Sequence, residues 1–197
     1  YRSNEKIIDE WCFDIFSFST KKQQQNGSGK LIYLSLGSMG SCNLDLMQRL
    51  IGILSKTKHT YLISTGMVND QLKLDSNMFG QSYLPQMSIL PLVDLVITHG
   101  GNNTVLESLY FGKPMIVSPL FGDQYNNSQR VTEMGYGSKI NPFECEPKEF
   151  LSLIEKLLND NQMKERLARI SKRMQSSNST EQVAIAIEKV VQNKDQA

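Results

Sequence analysis

The chain has 197 residues, of which 40% are hydrophobic and 21% charged, with 21 basic against 20 acidic residues. That is enough apolar material for one sizeable core, and a net charge of +1 lacks the footprint of a nucleic-acid binder or a polybasic membrane anchor. The longest uninterrupted apolar run, Val183 to Ile187, is five residues against the roughly twenty that a spanning helix needs, and the polar stretch Tyr1-Arg2-Ser3-Asn4-Glu5 does not read as a secretory leader.

Residues 1–29 read as an incoming interdomain linker or N-terminal extension. Ile7 to Phe18 is moderately apolar, with Trp11 as a packing residue, and Lys21 to Gly29 is polar, low in complexity and Gly/Ser-containing. A first residue that is Tyr rather than Met suggests a piece of a longer protein. The compact domain is expected over 30–197.

From Lys30 the pattern alternates. Leu31 to Leu36 is a short apolar run ending at Gly37, which predicts a buried strand. Leu44, Met47, Leu50, Ile51 and Leu54 recur at helical spacing. Further strands are predicted over Thr60–Ser64, Leu92–Ile97 and Pro114–Val117. Helices are predicted from about Asn103 to Tyr110, Asp123 to Met134 and Pro147 to Leu158. Two more fall between Asn161 and Asn193, the last carrying an apolar stripe of Val183, Ile187, Val190 and Val191. Alternation with short connections implies an α/β fold, a Rossmann-like parallel sheet flanked by helices. Such sheets bind ligands at the carboxyl ends of their strands, where Gly37-Ser38, His99 to Thr104 and Pro119 to Gln124 fall.

Cys12, Cys42 and Cys145 are odd in number and widely spaced, with no metal-ligand spacing to His59 or His99. They read as reduced thiols. Asn102-Asn103-Thr104 is a glycosylation sequon inside the proposed phosphate loop. A glycan there would block the site, so a cytoplasmic setting is expected.

The His99 loop carries the first chemical signal. A strand ends, Gly100 and Gly101 follow, and a helix begins. The first turn of a helix leaves backbone N–H groups unsatisfied and partly positive, and small residues let an anion approach closely. Asn103 and Thr104 can add side-chain donors, and His99 is poised to bond a phosphate oxygen. The plain alternative is a turn with Asn102 or Asn103 as N-cap. Glu107 lies one helical turn beyond Thr104, where a carboxylate can accept both hydroxyls of a ribose. Thr104-x-x-Glu107 also fits a capping box. Asp123-Gln124, a carboxylate beside an amide, suits the vicinal hydroxyls of a hexose, although Asp123 also fits an N-cap. Gly37-Ser38 alone could be a turn, and Tyr83 could be a core aromatic before a proline turn. His59 reads as a surface residue without a role, and Lys148, Lys156, Lys164, Arg166 and Lys172 read as solvated.

Taken together, Tyr83-Leu84-Pro85-Gln86, His99-Gly100-Gly101-Asn102-Asn103-Thr104, Glu107, Pro119 and Asp123-Gln124 closely resemble the donor-binding signature of the UDP-dependent glycosyltransferases. The resemblance covers roughly residues 30–192, with specific motifs from 83 to 124. It implies the C-terminal, donor-binding half of a GT-B enzyme of two facing nucleotide-binding-like domains. It further implies that Tyr83, standing for the family's Trp, stacks on uracil. Leu84 meets the base edge through its backbone, and Gln86 and Glu107 hold the ribose. His99, Gly101, Asn103 and Thr104 (Ser in the family) take the diphosphate, with Ser38 and Gly37 near the β-phosphate. Asp123 and Gln124 bond the sugar, typically glucose. Asn102 stands where plant members carry Trp, and the Gln86–His99 spacing is nearer that of bacterial macrolide-modifying members.

The implied reaction is inverting transfer of a hexose from UDP-glucose or a related donor to a small lipophilic acceptor, as in detoxification. No metal or other cofactor is implied, since the helix terminus and His99 carry the leaving-group charge and the chain has no Asp-x-Asp motif. The general base, a His held by an Asp, lies in the family's N-terminal domain. This chain alone is therefore expected to bind donor and turn over nothing. Two alternatives remain: the donor-binding subunit of a two-subunit transferase, and a non-catalytic nucleotide-sugar-binding module.

Overall fold

The structure is a computed structural model and describes residues 29–194. Trp11, Cys12 and all of the linker expected over residues 1–29 except Gly29 lie outside the described residues. Six strands form one parallel sheet: β1 (Leu31–Ser35), β2 (Thr60–Ser64), β3 (Met78–Gln81), β4 (Leu95–Thr98), β5 (Met115–Val117) and β6 (Gly137–Lys139), in the order β3-β2-β1-β4-β5-β6. The order reverses beside β1, and that switch point opens a crevice at the carboxyl edge.

The helices are α1 (Gly37–Gly40), α2 (Leu44–Leu54), α3 (Gln86–Ile89), α4 (Asn102–Tyr110), α5 (Gln124–Glu133), α6 (Pro147–Asn159), α7 (Asn161–Gln175) and α8 (Ser179–Lys194), with a 3₁₀ turn at Gly66–Gln71. Alternation along β1 divides the core. Ile32 and Leu34 pack on one face with Leu46, Met47 and Leu50 of α2 and with Phe150 and Ile154 of α6. Leu31 and Tyr33 pack on the other face with Ile89 of α3, Val105 of α4 and Val131 of α5. Start signals are read as the sequence writes them. Asn43 caps α2 by accepting Leu46 N–H at 3.0 Å, Asp160 caps α7 by accepting Met163 N–H at 2.8 Å, and Pro147 opens α6.

Several expectations need correction. The sequence predicts four strands, and the two missed, β3 (Met-Phe-Gly-Gln) and β6 (Gly-Ser-Lys), are the sheet edges. Edge strands cover less core and carry no apolar run. β4 begins at Leu95 rather than Leu92. Asp94 ends the preceding turn, and its carboxylate accepts Leu31 N–H at 3.0 Å and Lys30 Nζ at 3.3 Å. His59 is no surface residue, since it is only 1% exposed. Its Nδ1 accepts Lys30 N–H at 3.1 Å, so Nε2 carries the proton and donates to Glu155 at 3.0 Å. Arg166 is bonded as well, from Nε to the Gly135 carbonyl at 3.2 Å. The apolar stripe of α8 does not meet the body, and Val183, Ile187, Val190 and Val191 are all exposed.

Candidate functional site

A cleft of about 800 Å³ opens at the carboxyl edge of β1, β2 and β4. Gly37, Ser38, Tyr83, Leu84, Gln86, Asn103, Thr104 and Glu107 line it, so eight of the residues singled out in the sequence meet in one space. Tyr83 presents its ring at the rim, 69% exposed. Leu84 buries its side chain and has its main chain to offer. At the centre, Gln86 Nε2 donates to Glu107 Oε2 at 2.5 Å and to Thr104 Oγ1 at 3.2 Å. That amide holds one carboxylate oxygen of Glu107 and leaves Oε1 free in the cleft wall. Thr104 lies inside α4 rather than at its start, so the capping-box pattern is not what Thr104 and Glu107 form. Neither Asn102 nor Asn103 is the N-cap. Gly101 takes that position with no side-chain bond, leaving the first N–H groups of α4 to another partner.

His99, Gly101, Asp123 and Gln124 do not line that cleft; they flank it. The His99 ring sits between two glycines, because a β-carbon at Gly37 would fall 2.7 Å from its Cε1 and one at Gly101 would fall 2.5 Å from its Nε2. Gly37 has φ +70°, a conformation open to glycine. Burial pushes the His99 imidazole below its ordinary range, while the Ser35 backbone and the Asp123 carboxylate pull the other way. His99 and Asp123 are therefore electrostatic neighbours. Asp123 occupies the N-cap position of α5 but makes no capping bond. Gln124 is 3% exposed, and its Oε1 accepts the N–H groups of Leu120 at 2.8 Å and Phe121 at 3.1 Å. Only its Nε2 remains to offer a ligand. Among the described residues no group of three or more His, Cys, Asp or Glu side chains could hold a metal ion.

Sequence reasoning missed part of the wall. Tyr33, Ser35 and Ser64 form a floor of hydroxyls. Tyr33 is 1% exposed, hydrogen-bonds Ser35 and Ser64, and is pushed up to about 12, chiefly by burial. Ser35 and Ser64 are register partners at the ends of β1 and β2. A serine closing each of two apolar runs is the signal that could have found them. Met67, 86% exposed, and Met87, 52% exposed, flank Tyr83 at the mouth.

The chain matches the family model described as UDP-glucoronosyl and UDP-glucosyl transferase over residues 17–191. It is 30% identical over 145 residues to the uncharacterized UDP-glucosyltransferase YojK of Bacillus subtilis (strain 168), covering 74% of this chain and 34% of that protein. It is 35% identical over 100 residues to human UDP-glucuronosyltransferase 1A9, covering 50% of this chain and 19% of that protein. The crystal structure of the glycotransferase of kitacinnamycin superposes with a TM-score of 0.75 at 25% identity, over 83% of this chain and 43% of that one. The calicheamicin glycosyltransferase CalG4, at 24% identity and a TM-score of 0.74, shares the fold over 84% of this chain and 44% of that one. The matches span about half the length of these proteins or less. No described helix is long and apolar enough to cross a membrane. With a doubly covered parallel sheet, a family match across most of its length and glycosyltransferases of the GT-B class as structural neighbours, the chain belongs to the UDP-glucuronosyl and UDP-glucosyl transferase family.

Proposed function

We propose that this chain is the donor-binding half of an inverting UDP-glycosyltransferase, holding UDP-glucose or a similar UDP-hexose for transfer to a small lipophilic acceptor. The observation that carries this is the Gln86–Glu107–Thr104 cluster, in one cleft with the tip of α4 and beside the glycine-flanked His99. The uracil stacks on Tyr83, whose ring gives a flat exposed face. The ribose hydroxyls donate to the Glu107 oxygen that Gln86 leaves free. The diphosphate sits on the N–H groups of Asn102, Asn103 and Thr104 at the positive end of α4, reinforced by the Asn103 side chain and by Ser38. Asp123 and Gln124 Nε2 bond the hexose.

As the acceptor oxygen forms its bond to the anomeric carbon, the bond to the UDP oxygen breaks from the opposite face, and negative charge grows on the β-phosphate. His99 and the α4 tip stabilise that charge, which a fixed array of donors does without reorganisation. The base that takes the acceptor proton and the acceptor pocket are assigned to the remainder of a longer protein, in line with the half-length match to relatives. On that reading this chain binds donor but does not catalyse transfer alone, and no metal or further cofactor is required. Free Cys42 and Cys145, and a sequon at the tip of α4, favour a reducing compartment such as the cytoplasm.

Calorimetric titration of the folded chain with UDP and with UDP-glucose tests the reading. Heat saturating at one site is expected with both, and no heat with either overturns it.

A further inference from the structure

One side chain outside the signature joins the two halves of the site. Asn127, on the first turn of α5, uses a single Nδ2 to donate to the Gly100 carbonyl at 2.9 Å and to Asp123 Oδ2 at 3.2 Å. Gly100, at φ +88°, packs against the same turn, where a β-carbon would meet the Gln124 carbonyl oxygen at 3.3 Å. The Gly100 N–H is in turn fixed by Thr98 Oγ1 at 3.2 Å. Among the described residues this is the one hydrogen bond that the Asp123 side chain makes, because it does not cap its helix.

We infer that Asn127 is a positioning residue for hexose recognition: it orients the Asp123 carboxylate and locks it in register with the glycine turn that follows His99. The inference rests on the donor-site reading proposed above. One carboxylate oxygen, Oδ2, is held by the amide, which leaves Oδ1 as the acceptor for a sugar hydroxyl. An untethered aspartate on an exposed helix start samples several rotamers and must be ordered on binding. The Gly100 bond anchors the amide itself, so the Nδ2 that meets Asp123 is fixed to a turn that Thr98 holds independently.

The test compares UDP with UDP-glucose on the full 197-residue chain, with thermal unfolding as a folding check. The wild type is expected to bind UDP-glucose more tightly than UDP. Asn127→Ala should keep UDP affinity within about twofold while losing roughly tenfold for UDP-glucose, the order of one hydrogen bond to a charged group. Asn127→Asp keeps the shape but replaces the donor with a second carboxylate, and should lose at least as much. An unchanged preference for UDP-glucose in both variants overturns the positioning role while leaving the donor site intact. So does an equal weakening of both ligands, which would mark Asn127 as structural only. A wild type that binds neither ligand overturns the donor-site reading and the inference with it. A wild type that binds both equally well overturns the inference alone.

Discussion

The two edges of the sheet carry similar residues in opposite states. At the amino edge His59 has both ring nitrogens bonded and Asp94 takes a backbone N–H and a lysine. Asn77 Nδ2 reaches the carbonyls of His59 at 3.0 Å, Thr57 at 3.3 Å and Leu54 at 3.4 Å. At the carboxyl edge Glu107 has one oxygen held, Asp123 has one bond, and the α4 tip has no side-chain cap. At the first edge the Asn77 amide N–H groups, both His59 nitrogens and the Asp94 carboxylate close strand starts and turns, and the one spare acceptor, Asn77 Oδ1, is buried, whereas groups at the second edge keep acceptors and donors beside an open cleft. A buried histidine or carboxylate therefore says little by itself, and spare hydrogen-bonding capacity that opens onto a cleft is what marks a ligand site.

Substitutions at each edge should separate stability from binding. Asn77→Ala removes the amide that ties the Leu54, Thr57 and His59 carbonyls together and should cost about 2–3 kcal/mol of stability, read by chemical denaturation, with UDP affinity of the folded protein unchanged. Glu107→Ala should do the reverse, weakening UDP by about 1.5–3 kcal/mol in calorimetry with little change in unfolding. A large loss of stability there would place Glu107 in the same class as Asn77.

His99 sharpens the contrast through pH. Its folded value is lowered from 6.5, so between 6.5 and that lower value the unfolded chain binds more protons than the folded one. Stability then rises with pH across the window and is lost as pH falls through it. His99→Gln should flatten that segment of a denaturation-versus-pH curve, and a curve of unchanged slope would contradict the burial of the ring. The smallest effect is expected at the rim, where Tyr83→Trp enlarges the exposed face and should tighten UDP by about 0.5–1 kcal/mol.

How far the sequence showed all this depended on where each element lies. Interior strands β1, β2, β4 and β5 are buried on both faces and announce themselves as apolar runs, so the fold class was readable from Leu31 to Val117. The edges β3 and β6 were not, because an edge strand of four or three residues with a glycine has no such run. The site motifs were legible because helix tips and strand ends demand particular residue types. Asn127 and the Tyr33–Ser35–Ser64 floor were not, since each gains meaning only from a neighbour distant in sequence. His59 was misread for the same reason: its partners Lys30 and Glu155 are 29 and 96 residues away.

The central claim is that only the carboxyl-edge cleft takes UDP. Backbone amide NMR of the labelled chain during UDP titration tests it most directly. Shifts that saturate together at Gly37, Ser38, Tyr83 to Gln86 and Gly101 to Glu107, with Lys30, His59, Asn77 and Asp94 unmoved, are the expected result. Saturating shifts confined to other parts of the fold, or none at all on a well-dispersed spectrum, would contradict it.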